Sequence, residues 1–82
     1  MQRFEFQPFA APLANGNCAA GILLFRDAEH VTTKWAPGDF ATSEAAEEHA
    51  IRSAHRAARS IGKDFEGEAE FVVVVPPRAR VA

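Results

Sequence analysis

The sequence predicts an α+β domain in which one long helix packs on one face of an antiparallel sheet of three to four strands, in the order β-β-β-α-β. Three observations carry this. One stretch, Thr42 to Ile61, has helical periodicity. Four others alternate in polarity or are rich in β-branched and aromatic residues. Turn-forming residues separate these segments.

On a helical wheel Ala46, Ala50, Ile51, Ala54, Ala57, Ala58 and Ile61 fall within an arc of roughly 140°, with Glu47 the one charge inside it. Arg52, Arg56, Arg59 and Lys63 gather on the far side. Thr42 or Ser43 supplies a capping hydroxyl, and Gly62 is the expected closing residue. Glu44, Glu47 and Glu48 lie near the positive end of the helix dipole, and Arg56, Arg59 and Lys63 near the negative end. The buried face is mostly alanine, which permits close approach but fills little volume. The bulky groups of the core must therefore come from the strands.

Taken in order, Arg3 to Gln7 alternates, with Phe4 and Phe6 on one face, and Pro8 is expected to disturb or end the strand. Ala10 to Leu13 reads as irregular and Asn15-Gly16-Asn17 as a turn. Ala19 to Arg26 is a second strand, apolar on both faces through Ile22, Leu23, Leu24 and Phe25. After a turn at Asp27 to Glu29, His30 to Trp35 is a third, with Val31, Thr33 and Trp35 on one side. Ala36-Pro37-Gly38-Asp39 breaks the chain, and Phe40 can staple the start of the helix. Glu68 to Val75 is the fourth strand, with Phe71, Val73 and Val75 inward, and Val72 and Val74 on the face of the glutamates. Pro76-Pro77 stops it, and residues 76–82 are expected to form a flexible tail. The first three strands form a meander and the fourth joins an edge.

One helix covers only one face of a sheet. Either Ile22, Leu24, Val72 and Val74, or Leu23, Phe25 and their neighbours, then need another cover. Two covers are open: the segment around Phe9, Pro12 and Leu13, or a second copy of the chain in a homodimer. The candidate partner surface is Ile22, Leu24, Trp35, Val72 and Val74.

Eighty-two residues, 48% of them hydrophobic, suit one domain over 1–82 with a single modest core. A net charge of −2 gives no strong field toward nucleic acid or acidic membranes. One cysteine, Cys18, precludes an internal disulfide and a multi-cysteine metal site. The first residues lack a signal peptide's apolar run, and the run Phe71 to Val75 is too short to cross a bilayer, so a cytoplasmic location without membrane contact is the expectation. Seven arginines against two lysines, with 17 alanines, match the usage of a GC-rich bacterial genome.

No pattern of base, nucleophile or ligand spacing points to catalysis, a cofactor or a metal. His49 and His55 are six apart, on opposite borders of the apolar stripe, and His30 lies in a strand or turn. Cys18 has no base near it in sequence. Glu66, Glu68 and Glu70 read as solvated residues that keep an edge soluble, with a divalent-cation site as the rarer alternative. The best candidate is the basic stripe Arg52, Arg56, Arg59 and Lys63, at i, i+4, i+7 and i+11, a possible anion or nucleic-acid surface to which Arg78 and Arg80 could add.

Three strands followed by a helix resembles, in topology, the core of double-stranded-RNA-binding-like domains. That resemblance would imply phosphate binding. The acidic helix start Ser43 to Glu48 and the lack of a preceding helix depart from it. The start of the helix, Phe40-x-Thr42-x-x-Ala45, is similar to many small single-domain bacterial proteins of unknown function. The first expectation is a non-enzymatic protein-interaction or scaffold domain that self-associates through a sheet face or edge. The second is a nucleic-acid-binding domain using the arginine face.

Overall fold

The computed structural model describes residues 1–75. It has β1 (Gln2–Pro12), β2 (Cys18–Arg26), β3 (Glu29–Trp35), α1 (Ser43–Asp64) and β4 (Ala69–Val73). The strands form one sheet in the order β3-β2-β1-β4. β1 to β3 are an antiparallel meander, and β4 joins the edge beside β1, parallel to it. A strand parallel to its neighbour cannot be reached by a tight turn, so α1 carries the chain back across the sheet. The α+β class and the order β-β-β-α-β are as the sequence predicts. The predicted stop at Pro76-Pro77, the tail 76–82, and Arg78 and Arg80 lie outside the described residues.

The helix begins where the hydroxyl predicts. Thr42 is the N-cap, and its Oγ1 accepts from Ala45 N at 3.1 Å. Phe40 pins the approach: its backbone exchanges two 2.8 Å bonds with Cys18, and its ring packs on the cluster of Ala20, Ala46 and Ala50. The far end differs from expectation. α1 runs through Gly62 to Asp64 and stops because Phe65 turns extended. There its ring meets Phe4 edge-on at 5.4 Å and Phe71 at 5.7 Å, while Phe4 and Phe71 stack at 5.2 Å. Gly62 instead lies under the Phe71 ring, where an added Cβ would stand 3.4 Å from Phe71 Cδ2.

Ala46, Ala50 and Ala54 are fully buried and Ala58 nearly so. Ala46 and Ala50 pack with Ala20 of β2, whereas Ala54 and Ala58 pack with Phe6 of β1 near Phe71 and Val73 of β4. A ridge of every fourth residue is inclined to the helix axis. The helix therefore crosses the sheet diagonally, from β2 toward β4. Ile51 and Ala57 border this ridge half-buried, and Ile61 is 37% exposed, outside it.

β1 is longer than predicted and passes through Pro8, which pairs with Ile22. Phe6 gives its carbonyl to Val74 N, so the even residues of β1 direct their backbone groups toward β4. Pro8, two residues on, directs its ring nitrogen to the same side, beyond the last β4 residue. The ladder to β2 thus loses no bond, and Pro8 is instead a fully buried core residue with Phe6. The segment Ala10 to Pro12, expected to be irregular, continues the strand opposite Cys18 to Ala20.

The β2–β3 hairpin turns on Asp27 and Ala28, both at positive φ (48° and 70°). Asp27 ties this turn to β1: its Oδ1 accepts from Arg3 N at 2.9 Å, and its N donates to Arg3 O at 2.8 Å. Between Leu24 and Phe25 the register slips by one, so His30 rather than Val31 faces Phe25, and Val31 is left 52% exposed. β4 is shorter than predicted. Phe71 and Val73 face the helix as expected, but Val75 is exposed.

Two stability outcomes follow from this packing. Ala54→Leu should cost about 1–3 kcal/mol, because the ridge has no room for added methylenes. Ala28→Gly should stabilise by up to about 1 kcal/mol by removing a side chain from the left-handed region. Urea unfolding of the two variants against the parent chain measures both.

Candidate functional site

Two surfaces hold the side chains that the core does not use. The first is a groove on the helix side of the sheet. Because α1 crosses from β2 toward β4, it lies over β2, β1 and β4 but not over β3. The gap has a volume of about 380 Å³. Ala20, Gly21 and Ile22 of β2 form its floor. One wall is Lys34 to Pro37, and the other is His49, Ala50, Ser53 and Arg56 of the helix. The three polar helix residues stand at i, i+4 and i+7, which puts them along one flank. Lys34 pairs in register with Ile22, so it shares the helix side of the sheet. His49 rests against the Phe40 ring with centroids 4.9 Å apart.

The second surface is the helix-free face of the sheet. Register builds it in rows. Glu5, Phe25 and His30 form one, Gln7, Leu23 and Thr33 the next, and Phe9, Gly21 and Trp35 the third. Val72 lies beside Glu5, and Glu70 beside Arg3. In the third row Gly21 is buried because the Phe9 ring lies over it. A Cβ at Gly21 would come within 2.4 Å of Phe9 Cζ. Trp35 meets the Phe9 ring edge-on at 5.1 Å and remains 55% exposed. The charged part of the face is internally paired. Arg3 contacts Glu70 at 3.2 Å and Glu5 at 3.7 Å, and Gln7 donates to Glu5.

The five residues of the predicted partner surface therefore separate. Ile22 and Leu24 face the helix and pack against the core, so they are not on the open face. Leu23 and Phe25 take that place, with Phe9. Trp35 and Val72 do lie there, and Val74 is exposed just past β4. The segment around Phe9 is a strand and not a folded-over loop, and the Phe9 ring lies over Gly21 and against Trp35. Alternation along a strand shows which residues share a face, but the turn of the whole sheet toward the helix follows from Phe6 and Pro8, which the expected break at Pro8 concealed.

The basic stripe also divides. Arg52, Arg56, Arg59 and Lys63 are all exposed. Arg56 lines the groove beside β3, whereas Arg59 borders a shallower hollow beside β4 with His55, Ala58, Phe71 and Val73. Cys18 is half-buried at the start of β2. Glu70 is engaged with Arg3, and among the described residues no group of three or more His, Cys, Asp or Glu is placed to hold a metal ion. Among the described residues no helix is long and apolar enough to cross a membrane. No family model, curated protein or solved structure matches the chain.

The Phe9–Gly21–Trp35 row has its own signature. Gly21→Ala should displace the Phe9 ring and change the emission of Trp35, the one tryptophan. The far-UV spectrum should stay that of the parent. Steady-state fluorescence of the folded variant reads this directly.

Proposed function

We propose that the protein is a non-catalytic interaction domain that pairs with a second copy of itself through the helix-free sheet face. The observation that carries this reading is the row structure of that face, with Phe9, Leu23, Phe25, Trp35 and Val72 together on the side that α1 leaves bare. Small domains seldom leave such a face without a partner. Two such sheets pack about 10 Å apart with their side chains interdigitated, as in a sandwich. A second copy suits the charges as well. Arg3, Glu5 and Glu70 are held by one another on each copy, so like charges are not forced together across a two-fold axis.

Size sets the expected strength. Strand spacing and rise give a face of roughly 20 by 25 Å, about 500 Å². That is below the roughly 800 Å² per partner of a standard interface. The pairing should therefore be weak, with Kd on the order of 100 µM.

The nucleic-acid reading has four exposed cations on the helix in its favour. Arg56 and Arg59 open on different sides of α1, however, which suits separate point contacts better than one continuous phosphate track.

Sedimentation velocity from low-micromolar to millimolar protein tests the proposal. The sedimentation coefficient should rise with concentration while Trp35 emission shifts to shorter wavelength, and Leu23→Glu should abolish both effects. A parent chain that stays monomeric with unchanged emission over the whole range contradicts it.

A further inference from the structure

We propose that the groove between α1 and β3 binds a small phosphate monoester whose alcohol part is compact and apolar. The inference goes beyond self-association and does not depend on it, since the groove opens on the helix side of the sheet.

Four features of the groove point to this ligand. Its floor and part of its walls are apolar: Ala20, Ile22, Ala36 and Ala50. An apolar body fits there, and a bare hydrated ion does not gain from it. Its charges are all of one sign. Lys34 and Arg56 stand on opposite walls, and among the described residues no carboxylate lines the space, although the chain carries 11 acidic residues and a net charge of −2. Neither cation is in an ion pair with another described residue. Two cations left unopposed at the mouth of a low-dielectric cleft attract an anion more strongly than two on open surface. A phosphate monoester, close to doubly charged at neutral pH, matches two cations. The Ser53 hydroxyl and the His49 ring add hydrogen-bonding capacity from the same helix flank. The volume of about 380 Å³ lies at the lower end of small-molecule pockets, which limits the body to about the size of one aromatic ring.

The alternative is that the groove is only the space left where β3 outruns the helix. Amide chemical shifts of the 15N-labelled full chain separate the two. The probes are phenyl phosphate, inorganic phosphate and phenol. Phenyl phosphate should move the Gly21, Ala36, Ala50 and Ser53 amides along one saturable curve. Inorganic phosphate and phenol should each bind at least tenfold more weakly. Lys34→Ala and Arg56→Ala should each weaken phenyl phosphate by about tenfold, roughly one charge-assisted hydrogen bond. Arg59→Ala removes the same charge from the other side of α1 and should leave binding within about twofold of the parent, as expected for a screened surface charge. All three residues are exposed, and an unchanged amide spectrum elsewhere confirms that each variant is folded. The proposal is overturned if inorganic phosphate binds as tightly as the ester, if the Arg59 and Arg56 variants lose binding equally, or if the shifts fall on the open sheet face. Saturable binding by a chain that sediments as a monomer would support the groove while removing the pairing proposal.

Discussion

The close seating of α1 on the sheet, through four alanines at every fourth position, is the constraint from which the remaining features derive. Ala46, Ala50, Ala54 and Ala58 bring no bulk, so the sheet must supply it, and Phe6 and Pro8 do so as the largest fully buried side chains. Burying a phenylalanine in this way is worth about 1.5–3 kcal/mol relative to exposure. A ridge of period four is oblique to the helix axis, and obliquity decides where the helix ends. It finishes over β1 and β4, where Phe4, Phe65 and Phe71 close the core, and it leaves β3 without cover. The groove is thus a consequence of the same alanine spacing that makes the core.

The two faces of the sheet divide the chemistry between them. The helix side has an apolar core and, beyond the helix, a small cationic cleft. The bare side has an apolar corner around Phe9, Leu23, Phe25 and Trp35, and a polar corner whose charges are mutually satisfied through Arg3. Trp35 belongs to the bare side, where it ends the strand that edges the sheet and meets the Phe9 ring.

Much of this architecture was legible in the residues. The alanine stripe, the Thr42 cap and the inward phase of Phe71 and Val73 are local patterns of period 3.6 or 2, and local patterns survive folding. What escaped them depends on neighbours distant in the chain. Pro8 is harmless because β4, some sixty residues later, stops short of it, as the register of β1 with β4 specifies. Gly62 lies inside the helix, which runs on to Asp64, with the Phe71 ring packed over it, and Gly21 sits in a strand because Phe9 covers it from the next one. The division of the basic stripe was hidden for a related reason. Arg56 and Arg59 are close on a helical wheel, but an oblique helix turns one toward β3 and the other toward β4.

Side-chain nuclear Overhauser spectra of the methyl-labelled chain test the seating most directly. The account predicts strong contacts from the Ala54 and Ala58 methyls to the Phe6 ring, and from the Ala46 and Ala50 methyls to Ala20. If those alanine methyls instead show cross-peaks only to water or to their own helix, the seating is wrong, and with it the oblique crossing and the groove.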